Sequence, residues 1–309
     1  MKSDSIKIFI GYIGISIIWG STWLAIKFGL YSFTPFFSIG LRFFFASVLI
    51  FIIMKFRGMT LQIDFLSLKL YLALTFFSFV IPFGLVYWAE QFIDTGLASI
   101  LFAVYPFFII IFSYLFLPDE KIGMLKIIGV TLGFVGIIII FFEDFNIDFS
   151  NDLVGMLFVM LSAVLQASIA VLIKKCGQHL NPITMNFLPL LSSGIILLFV
   201  GYFLEDRSYW KFDFNGILSV SYLAIFGTVV AFTSYYWLLK RMNIVVLSMN
   251  ALITPVVAII LGWIILFEKF SLFDIIGSCI VLIGILFVNL QGLKNYYKQK
   301  RVAINGKYN

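Results

Sequence analysis

A small polar segment interrupts the first apolar run of the chain, where IIWGSTW (17–23) places glycine, serine and threonine between two tryptophans. At about 100° per residue, Trp19, Gly20 and Trp23 share one face of a helix. Ser21 projects to the opposite side. Indole rings beside a small residue suit the wall of a cavity for an organic solute, and close helix packing is the alternative reading of the small residue. We therefore predict that Trp19, Gly20 and Trp23 line a substrate cavity.

Arg42 is the clearest ionisable residue within an apolar run. Charged side chains at membrane depth are costly and are functional candidates for that reason. Arg42 either snorkels outward or bonds to backbone carbonyls, or it attracts an anionic group of a substrate. Lys27 and Glu90 lie at span ends and are predicted to form the mouth of the pathway. The central faces carry no acid, so we expect movement to be driven by the substrate's own gradient.

Further polar side chains recur at helical spacing in other apolar runs. Such groups need partners in hydrocarbon. Interhelical hydrogen bonds of about 1 kcal/mol are one explanation, and contact with a polar cavity is the other. Gln166 and Asn250 carry whole amides and are the costliest of these to bury. Beyond the first run, the predicted cavity residues are Arg42, Ser78, Gln166, Asn186, Thr228, Tyr235 and Asn250.

Two prolines, Pro106 and Pro255, fall inside the fourth and ninth apolar runs. Proline removes a backbone hydrogen bond and kinks a helix. The kinks are either static or the bends that gate a pathway, and we predict gating for both residues.

The elements that position these residues are membrane spans. The 309 residues are 62% hydrophobic and 12% charged, with a mean hydropathy of +1.10, against about 45–50% and about 25% in soluble domains. A span needs roughly 20 predominantly apolar residues, and the sequence holds about ten such runs. We predict spans at 7–28, 35–55, 68–89, 95–117, 124–143, 153–174, 182–204, 216–239, 244–267 and 272–291.

Charge distribution gives the orientation. Lys and Arg concentrate at every second loop and at both termini, whereas the segment 143–152 holds four acids and no base. Because basic residues mark the cytoplasmic side, we predict cytoplasmic N- and C-termini in the cell membrane.

The sequence does not support a nucleic-acid-binding protein, an enzyme or a metal-binding protein. The pI of about 9.2 does not indicate a nucleic-acid partner, because the charges lie at membrane edges rather than on one face. The one histidine, His179, and two cysteines form no catalytic or metal-binding motif. We predict a non-enzymatic protein without metal or cofactor.

The chain also repeats itself at an offset of about 148 residues. YLAL at Tyr71 recurs as YLAI at Tyr222, Pro106 recurs as Pro255, and IIG ending at Gly129 recurs as IIG ending at Gly277. The predicted units are 1–147, 148–292 and a basic cytoplasmic tail, 293–309. Five spans per repeat force the second half to enter from the opposite side, and inverted repeats are typical of transporters.

These residues resemble the EamA group of the drug/metabolite transporter superfamily. The resemblance rests on WGSTW at 19–23, LRF at 41–43, and the fourth-span proline followed by an acid and IIG (Pro106, Glu120, 127–129); the second half repeats the last pattern with Pro255, Glu268 and 275–277. It implies ten helices in two inverted repeats, a central cavity, and export or exchange of small metabolites.

The sequence thus predicts an all-α membrane protein with ten transmembrane helices in two inverted five-helix repeats. We expect a secondary transporter that exports an amino acid or related metabolite by alternating access, as a monomer or weak homodimer with the bilayer and a small molecule as partners. Multidrug efflux and a membrane channel are the alternatives.

Overall fold

The computed structural model describes residues 2–93, 95–119, 122–140, 152–266 and 272–305, and all regular structure in these ranges is helical. Six helices are long and apolar enough to cross a bilayer, and four shorter apolar helices accompany them. The prediction of an all-α membrane protein is confirmed, while the count of ten spans stays a prediction. The boundary at 147/148, Glu120 and Glu268 lie outside the described residues.

We number the helices in chain order. They are α1 (Lys2–Leu30), α2 (Pro35–Phe56), α3 (Phe65–Ala89), α4 (Thr95–Phe102), α5 (Tyr105–Phe116), α6 (Met124–Ile140), α7 (Asp152–Cys176), α8 (Phe187–Leu204), α9 (Phe214–Leu239), α10 (Ile244–Ser248), α11 (Asn250–Leu266) and α12 (Leu272–Asn305). The last of these continues through most of the segment predicted as a basic tail.

Every second loop between the predicted spans lies at the same end of the bundle. At one end, Lys240 bonds to Gln178 and the side chain of Gln62 bonds to the carbonyl of His179. At the other end, Glu205 accepts hydrogen bonds from Thr34 and from the backbone of Phe36. We call the first end, with loops 57–64, 117–119, 176–183 and 240–243, the basic end, and the second the opposite end.

Helices α6 and α12 cross through glycines. A Cβ on Gly129 would stand 2.5 Å from the carbonyl oxygen of Gly284, and one on Gly136 would stand 2.6 Å from that of Gly277. The lack of side chains allows the two backbones to touch, as is common between membrane helices. Because the earlier glycine of α6 meets the later one of α12, the two helices run antiparallel.

The third and eighth predicted spans each contain a wide π-helical turn. The turns cover Thr75–Val80 in α3 and Leu223–Val230 in α9, which are equivalent positions in the sequence repeat. Such turns leave backbone groups without their usual α-helical partner and occur frequently at functional sites.

The fourth and ninth predicted spans are broken rather than kinked. The fourth divides between Phe102 and Tyr105, and the ninth divides at Met249, between α10 and α11. Pro106 lies in the first turn of α5, so the predicted kink inside a continuous helix is wrong. Proline fits a first turn because its missing N–H would have no intrahelical partner there. Pro255 does lie inside a helix, α11.

Candidate substrate cavity

A cavity of about 120 Å³ lies in the middle of the bundle. Its walls come from α1, α2, α3, α7 and α9 and from both broken spans. Helix α8 contributes no lining residue. The lining side chains are those of Trp19, Thr22, Trp23, Ile26, Arg42, Ser78, Phe83, Val86, Phe102, Tyr105, Gln166, Ile169, Ala170, Phe232, Tyr235, Tyr236, Leu247, Asn250, Ala251 and Thr254.

The structure brings most of the predicted cavity residues together. Seven of them line this cavity: Trp19, Trp23, Arg42, Ser78, Gln166, Tyr235 and Asn250. Their role in binding a substrate stays a prediction. Gly20, Asn186 and Thr228 lie elsewhere, for three different reasons.

Gly20 serves the contact between α1 and α11. A Cβ at this position would stand 2.6 Å from the Cβ of Val257 and 3.0 Å from the carbonyl oxygen of Thr254. The glycine therefore lets the backbone of α1 approach α11. This contact corresponds to the alternative given above, that the small residue serves close helix packing.

Asn186 lies before α8, in a 3₁₀ turn over Thr184–Asn186. It is fully buried, and its Nδ2 donates to the carbonyl oxygen of Pro182 at 2.8 Å. Because α8 packs on α2 and on the π turn of α3, it stands outside the ring of helices around the cavity. The projection that placed Asn186 on a cavity face could not show this separation.

Arg42 is the central charge of the site, with only 2% of its surface exposed. Its Nε donates to Thr228 Oγ1 at 2.8 Å, Nη1 to Tyr87 Oη at 3.1 Å, and Nη2 to the Gly227 carbonyl oxygen at 3.2 Å. The ring centroid of Phe83 lies 5.0 Å from its Cζ. Within the described chain, every hydrogen-bond acceptor of this guanidinium is neutral.

The π turn of α9 supplies two of these acceptors. The Thr228 hydroxyl donates to the Leu223 carbonyl, five residues back, at 2.9 Å while accepting from Arg42. The Gly227 carbonyl also accepts from Trp19 Nε1 at 3.3 Å. Thr228 therefore holds Arg42 in place rather than lining the cavity itself.

Aromatic rings form much of the remaining wall. Trp19 lies 5.4 Å from both Phe232 and Tyr235, measured between ring centroids, and Phe102 stacks on Tyr105 at 5.7 Å. Tyr235 and Tyr105 share a hydrogen bond of 2.7 Å between their hydroxyls, which ties α9 to α5 across the site. The arrangement offers apolar faces with a few fixed polar groups, as small-molecule sites do.

Asn250 begins α11 directly after the break in the ninth span. Its Nδ2 donates to Ser16 Oγ at 2.7 Å, and that hydroxyl donates to the Tyr12 carbonyl. A residue predicted to contact substrate therefore also joins α1 to the broken span.

The two predicted mouth residues differ in their surroundings. Lys27 is exposed, whereas both carboxylate oxygens of Glu90 are buried and have no hydrogen-bond partner in the described chain. Glu90 directly follows the span that ends at Ala89. Burial raises the pKa of Glu90 to about 8, and the positive charges of Lys27 and Arg42 oppose that rise.

Sequence reasoning did not find several aromatic lining residues, such as Phe83, Phe102 and Tyr105. Aromatic residues make up 19% of the chain, so an aromatic side chain in a span carries no signal of its own. The proximity of Tyr105 to Pro106 was the one available hint. Within the described ranges, no group of His, Cys, Asp or Glu side chains could hold a metal ion.

The cavity and its broken helices can be compared with known proteins. The model of the EamA-like transporter family matches residues 6–142 and 153–290. The chain belongs to the EamA-like transporter family. It is thus a multi-pass membrane transporter, as the resemblance implied.

Named relatives extend the match over most of the chain. The uncharacterized transporter YoaV of Bacillus subtilis is 29% identical over 92% of this chain and 97% of its own length. Protein PagO of Salmonella typhimurium is 32% identical over 84% of both chains. One solved crystal structure has a TM-score of 0.80 and 18% identity, covering 92% of this chain and 98% of its own. That last likeness concerns the fold alone.

Proposed function

We propose that this transporter exports a small metabolite with an acidic group and an apolar body, such as an amino acid, by alternating access. The proposal places it in the cell membrane with both termini in the cytoplasm. Arg42 carries the argument, because its buried positive charge borders the cavity and, among the residues that the structure describes, its hydrogen bonds reach only neutral groups.

A buried charge is stabilised by a partner of opposite sign. A carboxylate in the cavity would supply one to Arg42, and the aromatic wall of Trp19, Phe232 and Tyr235 would cover an apolar side chain. The site thus favours an anionic or zwitterionic solute over a cationic drug. This preference argues against multidrug efflux of cations.

Alternating access is supported by the discontinuous elements around the cavity. Broken helices near the midplane are a recurrent feature of transporter sites, and both predicted repeats contain one here. An open channel would need a continuous path lined by polar groups. Here aromatic side chains line the cavity, and the hydrogen bond between Tyr105 and Tyr235 crosses it.

A metabolite-release screen tests the proposal. Cells that overproduce the protein, cells without its gene and cells with Arg42→Met are compared by mass spectrometry of the medium. We expect an acidic or zwitterionic metabolite to accumulate outside overproducing cells only. Release of organic cations alone, or equal release with Arg42→Met at equal expression, would contradict the proposal.

A further inference from the structure

A second cavity, separate from the central one, opens at the basic end. It measures about 610 Å³ and lies where α5, α7 and α9 end. Four basic residues line it, with one acid among the described residues, Asp119. The full lining is Phe116, Leu117, Pro118, Asp119, Lys174, Lys175, Lys240, Arg241, Met242 and Asn243.

Two of the lysines join α7 and α9 by reciprocal contacts. Lys174, near the end of α7, donates to the carbonyl oxygen of Leu239 at 2.6 Å and to that of Met242 at 2.9 Å. Lys240, just after α9, donates to the carbonyl of Gln178 at 2.8 Å and to that of Leu180. Carbonyl oxygens at and just beyond the C-termini of helices accept such bonds and favour a cation nearby.

Two further cations, Lys175 and Arg241, add to the positive charge that lines the cavity. Burial lowers the pKa of Lys240, and the neighbouring positive charge of Arg241 lowers it further. Arg241 and Lys175 are exposed at the cavity, and neither forms an ion pair within the described ranges. Arg241 lies over the Trp237 ring at 4.4 Å, and Lys175 lies 5.9 Å from the centroid of Phe116.

The surroundings distinguish this cluster from scattered charges at a membrane edge. Lys55 and Arg57 are exposed at the same end of the bundle but line no described cavity. In contrast, the four cations here converge on one concavity whose wall also includes Phe116, Leu117 and Met242. Basic pockets between spans at the level of the lipid headgroups bind anionic headgroups.

We propose that this cavity binds a phosphate-bearing anion through Lys175 and Arg241, with Lys174 and Lys240 fixing its walls. An Arg guanidinium suits a phosphate because its donors can engage two oxygens together. The phosphate belongs either to an anionic phospholipid of the adjoining leaflet or to a soluble ion. The inference concerns a different site from the transport cavity and does not depend on what the transporter carries.

The test uses the full-length protein in detergent micelles and follows thermal unfolding by tryptophan fluorescence. Three additions are compared: phosphatidylglycerol, phosphatidylcholine and inorganic phosphate. The test variant is Lys175→Gln/Arg241→Gln, and the matched control is Lys55→Gln/Arg57→Gln, which removes the same charge at the same end. All four side chains are exposed, and Lys174 and Lys240 stay intact to preserve the helix-end contacts.

We expect phosphatidylglycerol to raise the unfolding temperature of the native and control proteins, and the test variant to lose at least half of that shift. If phosphate alone produces the same pattern, the site is supported and its ligand is the soluble ion. Asp119→Asn, which removes the one described acid of the lining, should lower the half-saturating concentration of the active additive. An equal shift in the test variant and the control would overturn the proposal. The proposal would also be overturned if neither phosphatidylglycerol nor inorganic phosphate raised the unfolding temperature above that measured with phosphatidylcholine.

Discussion

The buried charge of Arg42 decides the chemistry of the central site, because Arg42 borders the cavity and its hydrogen bonds within the described residues reach only neutral groups. Arg42 stood out because a charge within an apolar run is rare, and Gln166 and Asn250 stood out because whole amides are costly to bury. The partners of Arg42 could not be predicted. Thr228 and Gly227 lie far from it in the chain and reach it only through the π turn of α9.

The tryptophans of the first helix should matter more for flux than the serine between them. Trp19 and Trp23 line the cavity, whereas Ser21 donates to the Ile18 carbonyl and contacts the Tyr222 hydroxyl. We expect Trp19→Ala and Trp23→Ala to reduce the transport rate roughly 10-fold at normal expression. A loss of about 1.4 kcal/mol of interaction free energy corresponds to such a factor. Ser21→Ala should change the transport rate much less. Equal losses in all three variants, measured as initial rates, would refute the assignment.

Glu90 should make folding stability depend on pH. Its pKa in the folded state is about 8, above the ordinary value of 4.5. The unfolded chain therefore loses this proton first, and stability falls as pH rises from about 4.5 to about 8. Glu90→Gln should raise the unfolding temperature at pH 8 and change it little at pH 4.5. The same difference at both pH values would show that the buried charge is not the cause.

At the scale of helices, the apolar runs predicted the spans, but not their interruptions. The third apolar run predicts a span at 68–89, and the helix covers Phe65–Ala89. The breaks before Tyr105 and at Met249, and both π turns, fall inside apolar runs, although polar residues such as Thr75, Thr228 and Asn250 lie in or beside three of them. Hydropathy reports burial in lipid rather than backbone hydrogen bonding, so it does not show where a helix breaks or widens.

The crossing of α6 and α12 should tolerate no side chain. A Cβ on Gly136 would stand 2.6 Å from the Gly277 carbonyl oxygen and 2.8 Å from the Val281 nitrogen, so the backbones must move apart. We expect Gly136→Ala to destabilise the fold by about 1–3 kcal/mol, the usual cost of overpacking. Gly14→Ala is the control because, apart from its chain neighbours and the backbone of its own helix, no described atom lies within 4 Å of its added Cβ. Equal unfolding temperatures for the two variants would contradict the close crossing.

At the scale of the whole molecule, every second loop lies at the same end of the bundle. This arrangement is expected when each successive span crosses the membrane in the opposite direction. Which end faces the cytoplasm rests on the basic residues alone. We expect a cysteine at Arg57 to be shielded from an impermeant thiol reagent in intact cells, and one at Ser208 to be labelled. The background carries Cys176→Ser and Cys279→Ser, since both native thiols are free. The reverse labelling pattern would invert the orientation.

Counterflow in liposomes tests the central claim most directly, which is that Arg42 anchors an acidic metabolite in an alternating-access cavity. The purified protein is reconstituted without a pH gradient. Vesicles preloaded with unlabelled amino acids then receive a labelled mixture of the same amino acids. We predict saturable uptake stimulated by the internal substrate, reduced roughly 10-fold or more in Arg42→Met, since hydrogen bonds to a charged group contribute about 1.5–3 kcal/mol. Uptake that neither saturates nor responds to internal substrate, or that is unchanged in Arg42→Met, would contradict this account.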